Sequence, residues 1–340
     1  MYNCLVIGLG NAGYLLDKDE NRKNIWTHSK AYIKHQNTNL LAVSDLDKNN
    51  YRLFSKDYGD ILFFKDYVEM IKAKDCDIIS ICTPTHTHYD IICNIVKFSH
   101  PKAIFIEKPM GSNLKEANMI ADLCKKANIK LAVNYMRRWD NAFDITRDII
   151  NNKKLGNLQF IKGYGCTALL MSSSHLMDLI LEFGGSINWV VGALQSDYVR
   201  YVDGIADPGG MAFINFDEGH YGLLKSTSKD PYHYMFEIEL LFSDGKISIL
   251  DDGRKTNIYK FSNKNSNTGS DYKILVENKD NFNFVQNERM LDAISDIISC
   301  IEKEGDPKSS SENAIMVHKL IDALSKSSYK DNKKIYIKGN

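Results

Sequence analysis

The feature that most constrains this chain lies at its start. Cys4-Leu5-Val6-Ile7 is an unbroken apolar run, followed at once by Gly8, Gly10 and Gly13 at the spacing Gly-x-Gly-x-x-Gly. Such a run suits a strand buried on both faces of a parallel sheet. In a dinucleotide-binding reading each glycine has its own task. Gly8 allows the tight turn, Gly10 lets backbone approach a pyrophosphate, and Gly13 lets the next helix pack close to the strand. The phosphates are expected at the free N–H groups around Asn11 and Ala12, at the positive dipole end of that helix. Three glycines also make an ordinary turn, but their place directly behind a first strand with no leader before it favours the cofactor site.

A second strand, residues 40–44, ends at Asp45. A carboxylate there accepts hydrogen bonds from adenosine ribose hydroxyls and repels the extra phosphate of NADP, since adjacent anions are costly. Leu46 and Asp47 follow, with no Arg or Lys, so NAD is expected over NADP. The competing reading of Asp45 is a cap for a helix over 48–56. Asp45 lies farther from the glycines than the roughly 20 residues usual for this acid. The polar stretch 17–24 is read as an insertion in or after the first helix, with Thr27 as a fresh N-cap.

A length of 340 residues favours about two domains. Lys+Arg and Asp+Glu balance at 43 each, so nothing in the charge points to nucleic acid or a membrane surface. No apolar run is long enough to span a bilayer and no signal segment stands at the start. The seven cysteines are scattered and form no Cys-x-x-Cys pair, which reads as reduced thiols in a cytoplasmic protein.

The remaining first half alternates strands (61–64, 77–82, 102–106, 130–133) with helices (48–56, 67–73, 88–98 and one opened by the Asn113/Glu116 capping box). Six strands so interleaved make a doubly wound parallel sheet, residues 1–134. Thr83 and Pro84 follow the fourth strand, where loops line the ligand crevice. His86 and His88 invite a metal reading, but no partners stand at ligand spacing, and no metal site is expected. A capping or packing role suits His88 better. The second half, 135–340, reads as strands over 157–166, 187–194, 197–202, 211–216, 220–226, 234–242, 245–250 and 335–337, with helices over 175–183, 286–303 and 312–326. That pattern fits an α/β domain with an open, mostly antiparallel sheet. Residues 263–270 read as a polar loop.

Five separated motifs then stand in one order: the glycine loop, Thr83-Pro84 with His88, Glu107-Lys108-Pro109, the stretch 135–139, and Ser174-His175-Leu176-Met177-Asp178. In these the chain resembles the glucose–fructose oxidoreductase / inositol dehydrogenase / rhizopine-catabolism (Gfo/Idh/MocA) oxidoreductases over nearly its whole length. The resemblance implies a Rossmann domain plus a domain with an open sheet, NAD(P)-dependent chemistry on sugars, cyclitols and sugar nucleotides, and homodimers or homotetramers joined through that sheet. It also implies cofactor contacts from Thr83, Pro84, His88, Glu107 and Lys108, and a place for Arg137 near the substrate.

Oxidising a secondary alcohol needs a base for the O–H proton and stabilisation of the developing alkoxide. Lys108, at a strand's carboxyl end, supplies an ammonium for the oxygen, and His175 has a side chain suited to take the proton at neutral pH. Asp178, one helical turn on, orients His175 or contacts a hydroxyl. The plainer readings are a surface lysine paired with Glu107, a helix-start histidine, and a first-turn acid favoured by the dipole; for Asp178 the two stay open. The redox reading requires Lys108 and His175 to serve one nicotinamide. One departure matters: where many relatives carry Asp one turn before the histidine, this chain has Met171. Three functions follow in order of preference: an NAD-dependent dehydrogenase or reductase of a sugar-type substrate, a redox-neutral enzyme with tightly held NAD (glycoside cleavage, epimerisation or elimination), and a non-enzymatic NAD(H)-binding regulator.

Overall fold

A computed structural model describes residues 1–202, 205–227, 233–262, 272–278 and 286–337. Its contacts divide the chain into two units, Met1–Trp139 with Asn287–Ile315, and Asp140–Gln286 with Met316–Asn340. The sequence reading cut the chain once, near residue 134. The structure instead places Tyr135–Trp139 and the later segment Asn287–Ile315 with the first unit.

The first unit holds a six-stranded sheet of β1 (Tyr2–Ile7), β2 (Thr38–Ser44), β3 (Leu62–Phe64), β4 (Ile78–Ile81), β5 (Ala103–Ile106) and β6 (Lys130–Val133). The strand order is β3-β2-β1-β4-β5-β6 and every pairing is parallel. This is the doubly wound sheet the alternation predicted. Order reverses between β1 and β4, the switch point where such sheets bind ligands. The register makes that edge level. Ile7 pairs with Ser44 and Ile81, Ile81 with Ile106, and Ile106 with Val133. The next residues, Gly8, Asp45, Cys82, Glu107 and Asn134, therefore leave the sheet side by side.

The helices are α1 (His28–Lys34), α2 (Lys48–Tyr58), α3 (Tyr67–Ala73), α4 (His88–Phe98) and α5 (Leu114–Lys126). Asn113 caps α5 by accepting from Glu116 N–H, while the Glu116 carboxylate reaches Ser112 N–H rather than Asn113. In the second segment of this unit, Met290, Ala293, Ile294 and Ile297 recur at helical spacing and are fully buried in the same core as Val6, Leu9, Tyr32 and Phe105. Burial of Met290, Ile294 and Ile297 contributes about 1.5–3 kcal/mol each, and this later helix is part of the first unit's core.

The insertion is looped out more fully than 17–24 suggested. Tyr14 and Leu15 N–H groups turn back on Gly10 O, and residues Leu15–Lys18 form a short 3-10 turn. The helix begun at the glycine loop then resumes at α1: His28 N–H donates to Ala12 O at 3.0 Å and Ser29 N–H to Gly13 O at 3.2 Å. Thr27 caps α1 as predicted. Asp17 closes the neck, accepting from Trp26 and Thr27 N–H at 3.0 Å each.

The second unit is built on a nine-stranded sheet. Its strands are β7 (Leu158–Gly165), β8 (Ile187–Val202), β9 (Ile205–Phe216), β10 (Tyr221–Ser226), β11 (Phe236–Phe242), β12 (Gly245–Leu250), β13 (Lys255–Ser262), β14 (Ile274–Asn278) and β15 (Ile335–Tyr336). The order is β14-β13-β12-β11-β7-β10-β9-β8-β15. Only β7 and β10 run parallel; the other described pairings are antiparallel. The two strands expected over 187–194 and 197–202 are one, β8, whose register shifts between Leu194 and Val199. Helix α6 (Asp144–Asn151) and strands β13 and β14 were not anticipated. Helix α7 (Ser173–Gly184) lies on β7, where an added Cβ at Gly163 would come 2.6 Å from Ile180 Cδ1. Helices α8 (Arg289–Lys303) and α9 (Ser311–Tyr329) complete the chain. The predicted loop 263–270 lies outside the described residues. Among the described residues no helix is long and apolar enough to cross a membrane.

Candidate functional site

The three glycines of the loop differ in what a side chain there would meet. Gly8 has φ +93°, a conformation that L side chains rarely adopt, and its Cβ position lies 2.9 Å from Cys82 O. At Gly13 a Cβ would stand 2.0 Å from Gly8 O, so strand end and helix start touch there. Gly10 is the opposite case: a Cβ would meet nothing within 4 Å. The space over Gly10 is open, as an approaching pyrophosphate requires, and Asn11 beside it is exposed.

Asp45 leaves β2 at the same level. Its Oδ2 accepts Leu9 N–H at 2.6 Å and Asn50 Nδ2 at 3.3 Å, and its Oδ1 accepts Asp47 N–H at 2.7 Å. The carboxylate is thus aimed by three donors and tied to the glycine loop itself. The helix cap is Asp47, which accepts from Asn49 N–H, so the capping alternative for Asp45 falls away.

Thr83 and exposed Pro84 open the loop after β4. His88 is fully buried, with Nε2 at 3.0 Å from Thr83 O and Nδ1 at 3.2 Å from Met110 O. Burial lowers its pKa against the pull of those two carbonyls. It bridges the loops after β4 and β5, in keeping with the packing role read from the residues.

Glu107 carries a network the sequence reading did not contain. Its Oε1 accepts Asn134 Nδ2 at 2.6 Å and faces His28 Nε2 at 3.0 Å. Beyond the ring, His28 Nδ1 lies 2.8 Å from Ser80 Oγ, which lies 2.8 Å from Tyr32 Oη. Burial acts to raise the Glu107 pKa, but the His28 bond, the neighbouring Lys108 charge and Asn134 hold it below the usual carboxylate value. The one visible signal for Ser80 is a hydroxyl inside the apolar run Ile78-Ile79-Ser80-Ile81. Lys108 follows Glu107, half-buried, at the carboxyl end of β5, and Arg137 is buried in the short turn Met136–Trp139 after β6.

These residues all belong to the first unit. His175 and Asp178 belong to the second, both buried in α7. The loop before α7 is clamped by another residue absent from the sequence reading: Asp207, buried on β9, accepts Leu170 N–H at 2.8 Å and Met171 N–H at 3.2 Å. Ser174 Oγ donates to Met171 O at 2.7 Å. Met171 thus serves its loop through backbone groups. Among the described residues no three His, Cys, Asp or Glu side chains are grouped to hold a metal ion.

Residues 2–135 match the profile of the Gfo/Idh/MocA proteins, described as an oxidoreductase family with an NAD-binding Rossmann fold. The chain is 23% identical over 264 residues to scyllo-inositol 2-dehydrogenase (NAD(+)) of Bacillus subtilis (strain 168), covering 72% of this chain and 73% of that protein. It is 23% identical over 283 residues to myo-inositol 2-dehydrogenase of Thermotoga maritima, covering 78% and 80%. Among solved structures, the WlbA dehydrogenase from Bordetella pertussis in complex with NADH and UDP-GlcNAcA superposes with a TM-score of 0.77 at 15% identity, covering 100% of this chain and 99% of that one.

Proposed function

We propose, on the premise that the chain belongs to the Gfo/Idh/MocA oxidoreductase family, that it is an NAD-dependent oxidoreductase acting on a secondary alcohol or ketone of a sugar, cyclitol or sugar nucleotide. The observation that carries the reading is the level row of strand ends: Gly8, Asp45, Glu107 and Asn134 leave the sheet in register at its switch point. The open space over Gly10 accommodates the pyrophosphate, with Asn11 and Ala12 beside it, and Gly13 brings the helix start against the strand end. The Asp45 carboxylate holds the adenosine ribose and disfavours a 2′-phosphate. Thr83, Pro84 and Glu107 flank the nicotinamide end, with His88 acting through the loops it bridges.

Bound NAD supplies the hydride acceptor, or as NADH the donor. The chain's residues manage the proton and the oxygen. Lys108 hydrogen-bonds the substrate oxygen and stabilises the alkoxide as it forms. His175 takes the hydroxyl proton in oxidation and returns it in reduction. Arg137 and Asp178 bind substrate hydroxyls. Asp207 sets the loop that leads into the His175 helix.

Lys108→Met should abolish turnover while NADH affinity, followed by fluorescence titration, stays within about threefold, because the loss falls on transition-state contacts. A panel of inositols, sugars and sugar nucleotides read by NAD reduction names the substrate. Retained turnover in Lys108→Met would sink the assignment. The reading extends to a cytoplasmic protein, in line with seven free cysteines. It extends also to a homodimer or homotetramer joined through the second sheet, where Met211, Phe213 and Tyr221 are exposed on adjacent strands. Light scattering after gel filtration tests the latter.

A further inference from the structure

Asn50, Phe54 and Asp57 of α2 stand at helical spacing and form one stripe along the helix. The far part of that stripe is fixed against the chain that leaves the glycine loop. Phe54 is fully buried, with its ring centroid 5.4 Å from that of Tyr14. Asp57 Oδ2 accepts from Tyr14 Oη at 2.6 Å and from Lys18 Nζ at 2.8 Å. Tyr51 holds the helix from a second side: its ring stacks on Phe63 at 4.2 Å, and its Oη donates to Ile61 O at 3.0 Å. Asn50, a turn before Phe54, is thereby carried to the end of β2, where its Nδ2 donates to Asp45 Oδ2 at 3.3 Å. A carboxylate has about four acceptor sites. Leu9 N–H and the Asn50 amide share Oδ2, whereas among the described residues Oδ1 receives Asp47 N–H alone. The open acceptor capacity is therefore greater on Oδ1. Without the amide each oxygen would keep one backbone donor, and the broad, two-fold terminal torsion of an aspartate would leave the carboxylate plane loosely set.

We propose that Asn50 is a positioning residue of the adenosine-ribose site. It fixes the plane of the Asp45 carboxylate so that Oδ1 meets the ribose hydroxyls, and it thereby sets the preference for NAD over NADP. The inference deepens the functional reading of Asp45 and rests on it. Two observations favour this role over a local one in the helix. The start of α2 is already capped by Asp47, which accepts Asn49 N–H at 2.9 Å, so the Asn50 side chain is not needed there. The amide also turns back out of the helix, to the residue that leaves β2 beside the glycine loop.

The test uses the full chain, with NADH and NADPH as probes, in a double-mutant cycle of Asn50→Ala and Asp45→Ala read by fluorescence titration. Alanine is the best helix former at such a position, so the Asn50 variant keeps α2. Asn50→Ala should weaken NADH about fivefold, the factor that one hydrogen bond carries. It should also move the NADPH/NADH affinity ratio in the same direction as Asp45→Ala does. Placed in the Asp45→Ala background, the same change should leave both affinities within about twofold, because an amide that acts through the carboxylate has nothing left to hold. Wild-type NADH affinity in Asn50→Ala would overturn the proposal. So would an equal loss from that change in both backgrounds, which is what a general loosening of α2 gives. Should Asp45→Ala itself bind both cofactors as wild type does, the ribose reading fails and the proposal with it. A loss in Asp45→Ala with none in Asn50→Ala removes the proposal alone.

Discussion

Gly10 and Gly13 sit three residues apart in one loop, and the structure predicts opposite outcomes for the same alanine substitution. At Gly13 the added Cβ meets Gly8 O at 2.0 Å, Gly8 C at 2.9 Å and Leu9 Cα at 3.1 Å. All three are backbone atoms, so no side chain can rotate away, and β1 must part from the following turn by more than an ångström. Overpacking costs about 1–3 kcal/mol, and a clash taken up only by backbone belongs at the upper end. Alanine's helix preference over glycine, about 1 kcal/mol, does not offset it. At roughly 2–4 °C per kcal/mol for a unit of this size, Gly13→Ala should lower the thermal midpoint by about 5–10 °C. At Gly10 the Cβ meets nothing and φ lies outside the left-handed region, so stability should change by less than about 0.5 kcal/mol. The new methyl nevertheless stands where the pyrophosphate must approach, and NADH affinity should fall about tenfold or more, equivalent to about 1.4 kcal/mol. Scanning fluorimetry and NADH fluorescence titration on the two variants separate these effects. Gly10→Ala binding NADH as wild type does, or losing as much stability as Gly13→Ala, would refute the division of labour read into this loop.

Asp45→Ala should weaken NADH and relieve repulsion of a 2′-phosphate, shifting the NADPH/NADH affinity ratio by about tenfold or more toward NADPH; an unchanged ratio by calorimetry would remove Asp45 from the ribose site. Burial acts to raise the Asp77 carboxyl, but Lys102 and the Asn3 N–H outweigh it and hold it below its ordinary value. Its folded pKa being the lower one, its stabilisation is full above about pH 4 and disappears as pH falls through the folded value. Asp77→Asn should flatten the acid limb of urea midpoint against pH. His318 is buried and its pKa is lowered by burial to about 4. The unfolded chain therefore binds the proton first, and stability should fall by about 3 kcal/mol as pH drops from 6.5 toward 4. His318→Leu should remove that slope below pH 6.5, and an unchanged slope would show that the imidazole is hydrated.

The glycine spacing, Asp45 and the six parallel strands were legible because each is local: an apolar run, a turn, a carboxylate at a strand end. The second sheet was legible only in outline. In β13, Lys-Thr-Asn-Ile-Tyr-Lys-Phe-Ser carries a single buried residue, Ile258, so its period-two signal was too weak to stand out. Helix α8 announced itself by spacing, yet nothing in a helical period tells which sheet it covers, and the structure puts Met290 and Ile294 in the core of the first unit.

The site's inner layer was illegible for a related reason. His28 is 52 residues from Ser80 and 79 from Glu107, and no spacing rule connects them. What does connect them is the repair of the first helix. Had residues 14–27 continued a regular helix from the glycine loop, His28 would stand several turns from the sheet's carboxyl edge. Because its N–H returns to Ala12 O and that of Ser29 to Gly13 O, the insertion is removed from the helical count, and residue 28 occupies the turn that an uninterrupted chain would fill just after Gly13. The ring then lies over Ser80 on the neighbouring strand. The Asp17 carboxylate holds Trp26 and Thr27 N–H at the neck of that loop, and the residue next along the chain, His28, is the one that reaches Glu107.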